Sequence, residues 1–291
     1  MNAFKQMTII GVGLLGASLA KVCRERKLAE RIVGFGRNAE NLQRAEQQNV
    51  IDHGTTVIED AVAESDLVVL CSPVGTIAER FREMAPHLKA GCLVTDVGSV
   101  KAPLVRDIEP MVPDAVHYVP AHPIAGAEQS GLDAATVDLY EGARCIVTPT
   151  SQTNPQAVER IHAFWQDVGM RVQVLDAAEH DFIYGAVSHL PHVVAFALMN
   201  TVGQLKTREQ EDIVHLSAGG LRDITRIASS DPVMWRDICL ANKTHVLDLI
   251  DRFQDALGEI KQRIEQDDAA GLKESFKNAN GHRGKLVGNN S

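Results

Sequence analysis

The sequence lacks an excess of positive charge. Its 291 residues include 29 lysines and arginines against 38 aspartates and glutamates, a formal net charge of −9. Proteins bind nucleic acids and anionic membrane surfaces through basic faces that displace counterions. We therefore expect neither partner, whereas a small anion in a local basic pocket stays compatible with this composition.

Cysteine is scarce and forms no motif. The sequence has no C-x-x-C pair and no spacing typical of a disulfide framework, which favours a reducing, cytoplasmic setting. The five cysteines are Cys23, Cys71, Cys92, Cys145 and Cys239.

Long apolar runs are also missing. The run MTIIGVGLLGASLA after Lys5 has the look of a signal peptide, but its glycine spacing favours another interpretation, given below. We expect no other stretch to approach the roughly 18 apolar residues of a membrane span. The sequence therefore predicts a soluble cytoplasmic protein.

A glycine motif follows the first predicted strand, Thr8 to Ile10. Gly11, Gly13 and Gly16 have the G-x-G-x-x-G spacing and precede an amphipathic helix. In dinucleotide-binding folds these glycines permit a tight turn, a close approach to pyrophosphate and close helix packing, and the helix N-terminus offers N–H groups to the phosphates. A purely structural role in packing is the alternative.

Further apolar strands alternate with helices, which favours a doubly wound parallel sheet of the Rossmann type. We predict such an α/β domain over residues 1–178. The predicted strands are Ile32 to Phe35, Leu67 to Cys71, Cys92 to Thr95, Val116 to Val119, Cys145 to Thr148 and Arg171 to Leu175.

The end of the second strand bears on the choice of cofactor. NAD-binding domains usually carry an acidic residue there for the ribose 2′-hydroxyl, but this sequence has Gly36 followed by Arg37. A guanidinium suits a 2′-phosphate, which slightly favours NADP over NAD, and stacking of Arg37 on adenine is the alternative. The predicted cofactor-binding residues are Gly11, Gly13, Leu14, Leu15, Gly16, Arg37, Ser72, Pro73, Val74 and Ser99.

From about residue 179 to 291 the pattern becomes helical. The stretch from Asp181 to Leu205 is apolar over a wide arc, which predicts a central helix that also packs on a second subunit. Asp231 and Pro232 predict the start of a long helix that includes a break. The final GHRGKLVGNNS predicts a loose tail.

Polar residues follow several strand ends, where ligands of doubly wound sheets bind. His122 precedes Pro123, which favours an extended conformation, and we expect it to face the nicotinamide together with Ser99. Arg222 and Arg226 lie one helical turn apart and form a candidate carboxylate receptor just after Gly219 and Gly220. A solvated ion pair at a helix end is the alternative.

SHLPH, with His189 and His192, is the one candidate for a metal site, which we reject because Pro191 intervenes and no carboxylate or cysteine has ligand spacing. Hydrogen bonds to the backbone freed by Pro191 are the structural alternative for both imidazoles. For His192 we favour that alternative.

Six motifs in order, GVGLLGASLA, CSPV, DVGSVK, HPIAGAEQSG, SHLPH and TRIASSDPVMWRDI, resemble those of the prephenate dehydrogenase family, over about Met7 to Ile238. The resemblance implies a Rossmann-type N-terminal domain, an all-α C-terminal dimerisation domain and a homodimer. It also implies NAD(P)-dependent oxidative decarboxylation of prephenate or of arogenate.

The matched positions imply roles for individual residues. His122 would take the proton of the ring hydroxyl as hydride leaves, and Ser99 would share that hydrogen bond. Arg226 would bind a substrate carboxylate, with His189 and Gly219 also at the substrate.

Two other functions stay open at this point. A β-hydroxyacid dehydrogenase or imine reductase would use a lysine, for which Lys243 is available, but would leave His122 without a role. A non-catalytic NADP sensor is the other, since a Rossmann fold does not imply catalysis.

Overall fold

The computed structural model describes residues 3–127 and 129–288. Nine strands and twelve α-helices make up most of this part of the chain. The strands are β1 (Phe4–Ile10), β2 (Ala29–Phe35), β3 (His53–Thr55), β4 (Leu67–Leu70), β5 (Leu93–Asp96), β6 (His117–Val119), β7 (Ala121–Pro123), β8 (Arg144–Val147) and β9 (Arg171–Val174). The helices are α1 (Leu14–Glu25), α2 (Ala39–Gln47), α3 (Ile58–Val62), α4 (Val74–Met84), α5 (Ala102–Ile108), α6 (Pro155–Asp167), α7 (Ala177–Tyr184), α8 (Leu190–Gly203), α9 (Gly219–Thr225), α10 (Pro232–Ala241), α11 (Lys243–Glu265) and α12 (Ala269–Gly288).

The first six strands form one parallel sheet in the order β3-β2-β1-β4-β5-β6. This is the strand order of the Rossmann fold, so the predicted fold class is confirmed. Alternate residues of each central strand enter opposite cores: Ile9 and Val69 face α1 and α6, whereas Ile10 and Leu70 face α4 and α5. Burial on both faces explains why these strands are largely apolar.

A second sheet differs from the prediction. The stretches at Cys145 to Thr148 and Arg171 to Leu175 were expected in the parallel sheet, but β8 and β9 form a separate sheet with β7. β7 is antiparallel to β8, and β8 is parallel to β9. Only Pro120 separates β6 from β7, and this is too short for the crossover that a parallel neighbour requires. The chain must therefore leave the first sheet at this point.

A helical stretch from Ala177 to Gly203 follows the second sheet. It comprises α7, a π-helical turn over Gly185–His189, and α8. Pro191 lacks the N–H that a regular α-helix would use here, and π-turns arise where the normal hydrogen-bond register is broken. Asp231 begins α10 by accepting a hydrogen bond from the Met234 backbone, as predicted.

The expectation that no other stretch approaches the apolar length of a membrane span is wrong, as judged by length and composition alone. The stretch Ala177–Gly203 has an 18-residue window of mean hydropathy 1.5 and few charges, so it is long and apolar enough to cross a membrane. Such composition is weak evidence on its own, because core helices pass the same test. Only 22% of the window is buried within this chain, and exposed apolar residues such as Phe182 and Val187 account for much of the rest.

By its internal contacts the chain divides into two compact units, residues 1–243 and 244–291. The second unit consists of most of α11 and all of α12. The predicted loose tail is wrong over residues 281–288, which continue α12, and residues 289–291 lie outside the described part. Lysine and arginine are good helix formers, and the positive charge of Lys285 in the last turn interacts favourably with the negative end of the helix dipole.

Candidate active site

The glycine motif forms the turn between β1 and α1. Gly11 has a φ of +106°, and a Cβ at this position would lie 2.9 Å from the Cys71 carbonyl oxygen. A Cβ at Gly16 would lie 2.1 Å from the Gly11 oxygen, so only glycine allows α1 to pack this closely. Gly13 is the N-cap of α1, and a Cβ added to it would have no other atom within 4 Å. The turn thus leaves space, and unpaired N–H groups of Leu14 and Leu15, where a phosphate would bind.

The neighbouring strand end adds a polar group to this turn. The Ser72 hydroxyl is buried between β4 and α4 and has no hydrogen-bond partner among the described residues. Pro73 is the N-cap of α4, and Val74 is its first residue. A buried hydroxyl without a partner is costly, so a polar ligand at this position would stabilise it. The residues of the turn therefore fit a dinucleotide.

Arg37 lies in the loop after β2 and its side chain is exposed. The Asn41 amide donates a hydrogen bond to the Val12 carbonyl, over 3.0 Å, and so ties the start of α2 to the glycine turn. A Cβ at Gly36 would meet only the Leu42 side chain, at 3.5 Å or more. Gly36 thus occupies the position where NAD-binding domains usually have an acidic residue, and the space beside it is open.

His122 is the middle residue of β7, and it lies opposite Ile146 of β8. The predicted extended conformation before proline is confirmed, because β7 is a strand. Burial lowers the pKa of the His122 imidazole well below its usual range, and His180 and Lys101 lower it further. His122 is therefore neutral at physiological pH and has a lone pair available for a proton.

His180 and Tyr184, which the sequence analysis did not single out, contact His122. Nδ1 of His122 lies 2.8 Å from Nε2 of His180, and Nδ1 of His180 lies 2.8 Å from Oδ1 of Asp181. Tyr184 packs on both imidazoles, with ring centroids 5.1 Å from His122 and 4.6 Å from His180. His180 and Asp181 are adjacent in α7 and almost completely buried. The one local signal was the His-Asp pair itself, at the start of a long apolar helical stretch.

A buried ion pair holds the backbone beside His122. The Lys101 ammonium contacts the Asp96 carboxylate, and neither side chain is exposed. Lys101 also donates to the Ala121 carbonyl over 2.7 Å, and Asp96 accepts from the Ala121 N–H at 3.2 Å and from the Tyr118 hydroxyl at 2.9 Å. Both Asp96 oxygens and two of the three Lys101 N–H groups are used, and the contacts to both backbone groups of Ala121 fix this residue and with it the start of β7.

Ser99 lies in the loop after β5 and is half-buried. The hydrogen bond to His122 that the resemblance implies is not formed within residues 3–127 and 129–288. Nδ1 of His122 is occupied by His180 instead. Only Nε2 of His122 is left for a partner, so a shared contact of Ser99 and His122 would be made through the substrate.

His189 and His192 have different environments. Nδ1 of His189 accepts a hydrogen bond from the buried Asn242 amide, at 3.0 Å, and burial lowers the pKa of His189 to about 4. His192 donates from Nδ1 to the Ser188 carbonyl at 2.9 Å and stacks on Trp235 with 3.6 Å between ring centroids. A backbone hydrogen bond is thus present for His192, whereas His189 bonds a side chain.

Arg222 and Arg226 line one cavity of about 400 Å³, together with Asn200, Thr225 and Ser229. Phe196 and Met199 of α8 form its apolar wall. Burial lowers the pKa of His192, and the nearby charge of Arg226 lowers it further. The basic pair therefore faces a pocket rather than bulk solvent alone.

Two other candidates are on the surface. Gly219 is exposed as the first residue of α9, which places it at the start of the helix that carries Arg222. Lys243, the base that a β-hydroxyacid dehydrogenase would need, is exposed at the first position of α11. Lys243 therefore lacks the buried surroundings typical of a catalytic lysine.

Two family profiles match adjacent parts of the chain. "Prephenate dehydrogenase, nucleotide-binding domain" matches residues 19–174, and "Prephenate dehydrogenase, dimerization domain" matches residues 176–278. Together they span most of the parallel sheet, the second sheet and the helices that follow.

Individual proteins with curated names are similar over nearly the whole chain. The cyclohexadienyl dehydrogenase of Zymomonas mobilis is 35% identical over 277 residues, which is 95% of this chain and 94% of that protein. The prephenate dehydrogenase of Bacillus subtilis is 35% identical over 292 residues, 98% of this chain and 77% of that protein.

A solved structure is also similar. The crystal structure of prephenate dehydrogenase from A. aeolicus in complex with hydroxyphenyl propionate and NAD+ is 39% identical, with a TM-score of 0.91. The match covers 97% of this chain and 98% of that one.

Proposed function

Because this chain belongs to the prephenate dehydrogenase family, a family of NAD(P)-dependent dehydrogenases, we propose that it oxidatively decarboxylates prephenate to 4-hydroxyphenylpyruvate in tyrosine biosynthesis. The observation that carries this proposal is His122, a neutral imidazole held on β7 by buried polar contacts. Arogenate, which has an amino group in place of the side-chain keto group, is the alternative substrate.

His122 is the proposed general base. Its Nε2 accepts the proton of the ring hydroxyl as the hydroxyl carbon loses hydride, and Ser99 supports the same hydroxyl. Loss of the ring carboxylate then yields an aromatic ring, which makes the reaction effectively irreversible. A positioned base of this kind typically contributes about 10² to 10⁴ in rate.

Arg226 is the proposed ligand of a substrate carboxylate, because it lines the basic cavity with Arg222. His189 is proposed to contact the substrate side chain. Its Nδ1 accepts from Asn242, which leaves the ring proton on Nε2 as a donor. Gly219, at the start of the helix that carries Arg222, is proposed to contribute backbone to the same region.

The proposed cofactor residues are those of the glycine turn and the adjacent strand ends: Gly11, Gly13, Leu14, Leu15, Gly16, Arg37, Ser72, Pro73, Val74 and Ser99. NAD or NADP bound there supplies a nicotinamide ring that accepts the hydride. Arg37 is exposed beside the turn and is free of steric crowding from Gly36, which supports a capacity for the 2′-phosphate of NADP.

A homodimer is part of the proposal. The apolar residues along Ala177–Gly203 are largely exposed within one chain, and the profile that matches residues 176–278 is described as a dimerization domain. A second copy that covers this helix removes its apolar surface from water.

We place the protein in the cytoplasm, with no nucleic acid or membrane partner, because of its net negative charge and its similarity to biosynthetic enzymes. A domain boundary near residue 178 belongs to the same proposal.

The experiment that tests this function is a set of initial rates of nicotinamide reduction. Prephenate and arogenate are each paired with NAD and with NADP, and the His122→Asn protein is the blank. We expect turnover of prephenate with at least one nicotinamide. The absence of turnover in all four pairings contradicts the proposal, and turnover of arogenate alone corrects the substrate.

A further inference from the structure

His122 is the first member of a chain of hydrogen bonds that leads away from the proposed substrate position. Nδ1 of His122 and Nε2 of His180 are 2.8 Å apart, as are Nδ1 of His180 and Oδ1 of Asp181. We name these three residues the His–His–Asp chain. His180 is 0% and Asp181 2% exposed, so water does not compete for these contacts.

The far end of the chain fixes the direction of every proton in it. Oδ1 and Oδ2 of Asp181 accept hydrogen bonds from the backbone N–H groups of Lys101 and Ala102, at 2.7 and 2.8 Å. An ionised carboxylate can only accept. Nδ1 of His180 must therefore carry a proton and donate it to Asp181.

The same reasoning then applies to the two imidazoles. Burial lowers the pKa of His180, so its ring is neutral and its Nε2 has a lone pair rather than a second proton. That lone pair accepts from Nδ1 of His122. A neutral His122 with a proton on Nδ1 has none on Nε2, and Nε2 is the only ring nitrogen left for the substrate.

We propose that His180 and Asp181 are positioning residues that hold His122 in the Nδ1–H tautomer and accept its Nδ1 proton during the reaction. The proton of the substrate hydroxyl bonds to Nε2 of His122, while the Nδ1 proton moves to Nε2 of His180. His122 stays neutral, and the positive charge resides on His180 beside the Asp181 carboxylate. This inference rests on the proposed function of His122 as the base.

The electrostatic surroundings explain why such a chain is needed. Burial lowers the pKa of His122, and His180, Lys101 and His189 lower it further, so a positive charge on that ring is unfavourable. Burial and Lys101 also lower the pKa of His180, but there the hydrogen bond and charge of Asp181 and the charge of Asp96 act in the opposite direction. Movement of the proton thus places the charge closer to its counter-ion.

Packing leaves the chain little freedom to rearrange. The Tyr184 ring contacts both imidazoles, and the Lys101–Asp96 pair fixes the backbone at Ala121. An imidazole that is held this tightly cannot rotate to exchange Nδ1 for Nε2. The tautomer is therefore set by the fold before substrate binds, in the way that an aspartate orients the histidine of a catalytic triad.

The first test reads the tautomer directly in the substrate-free protein. Histidine labelled with ¹⁵N gives long-range ¹H–¹⁵N correlations that distinguish protonated from bare ring nitrogens, and the His122→Asn protein assigns the His122 signals. We expect a protonated Nδ1 and a bare Nε2 at pH 8. A protonated Nε2 overturns the inference, whether or not prephenate turns out to be the substrate.

The second test separates positioning from packing. His180→Gln keeps an acceptor for His122 and a donor for Asp181, whereas His180→Leu keeps neither. We expect His180→Leu to lower kcat about 10- to 100-fold, within the range of a general base, with KM changed by less than about threefold. His180→Gln should recover only part of kcat, because its amide holds the tautomer of His122 but cannot take up the proton, and full recovery would overturn the proton transfer. The exposed His87→Gln is the matched control. Equal losses in both His180 variants, or a change confined to KM, overturn the inference.

Discussion

The side-chain amide of Asn242 donates a hydrogen bond to Nδ1 of His189, over 3.0 Å. The same nitrogen donates its second proton to the Asp181 carbonyl at 2.8 Å. One buried amide therefore connects the end of α10 to both His189 and the residue that terminates the His–His–Asp chain. The tautomer of His189 follows from this contact, because an amide N–H can only donate.

The first prediction concerns the strength of this connection. Asn242→Leu leaves two buried acceptors without a donor, which should lower the free energy of unfolding by about 1–3 kcal/mol. Urea denaturation measures the loss. In a double-mutant cycle with His189→Leu, the two losses should not add, because the mutations share one hydrogen bond. Strict additivity would show that the Asn242–His189 contact contributes nothing.

The second prediction is a loss of stability in acid. The pKa of His189 is about 4 in the folded protein, below the 6.5 of a free imidazole. Above pH 6.5 both states are neutral and the protein has its full stability. Between pH 6.5 and 4 only the unfolded chain takes up the proton, so stability falls by up to about 1.4 kcal/mol per pH unit and on the order of 3 kcal/mol in total.

Urea unfolding at pH 7.5, 5.5 and 4.5 measures this slope. His122, His180 and His192 have pKa values lowered in the same direction and steepen it. His189→Gln keeps an acceptor for Asn242 and removes one titrating group. It should therefore reduce the slope of the unfolding free energy against pH by at most about 1.4 kcal/mol per pH unit, the equivalent of one proton. The same slope in His189→Gln and the parent would contradict the buried, neutral state of His189.

The third prediction concerns the general base. His122→Asn should lower kcat by about 10² to 10⁴, with a small change in KM, because it removes the proton acceptor but keeps a polar group of similar size. Steady-state rates with prephenate measure both constants. His117→Asn, on the neighbouring strand β6 and half-buried, is the control and should keep the parent rates. Full turnover by His122→Asn would rule out the proposed role.

The fourth prediction concerns the basic cavity. Arg226→Ala should raise KM for prephenate about 10- to 100-fold, since a hydrogen bond to a charged group contributes about 1.5–3 kcal/mol. Arg226→Lys should recover only part of the affinity, because an ammonium cannot bind a carboxylate in a bidentate manner. Arg82→Ala, at an exposed position of α4, is the control. An unchanged KM in Arg226→Ala would place the carboxylate elsewhere.

The fifth prediction concerns the choice of nicotinamide. Arg37→Ala should raise KM for NADP about 10-fold or more and change KM for NAD by less than about threefold, because only NADP has the 2′-phosphate. Arg31→Ala, also exposed and at the other end of β2, is the control. Equal effects on both cofactors would indicate that Arg37 stacks on the adenine instead.

The sequence predicted the parallel sheet because its strands are apolar on both faces and its turn is specified by glycines. Gly11 and Gly16 are required by contacts of 2.9 and 2.1 Å, and such requirements are visible as a spacing. The strands β3 (HGT) and β7 (AHP) were missed because neither contains the valine, isoleucine, phenylalanine or tyrosine residues typical of a strand. β7 mattered most, since it carries His122.

The partners of His122 could not be predicted for a different reason. His180 follows His122 by 58 residues, and their contact depends on how α7 packs against β7 and α5. Asp181 likewise meets the N-terminus of α5 across 80 residues. No local sequence pattern indicates contacts between residues so far apart in the chain. The sequence therefore predicted separate strand ends rather than a connected network of side chains.

The two halves of the proposed site are built in different ways. His122, His180 and Asp181 are held by packed rings and backbone hydrogen bonds, whereas the cavity around Arg226 is bordered by exposed side chains of α9 and the turn after it. Substitutions in the cavity wall disturb few neighbours, but those behind His122 disturb several at once. Descendants of this sequence could therefore drift toward new substrates by changing the cavity, while the proton-transfer chemistry is inherited unaltered.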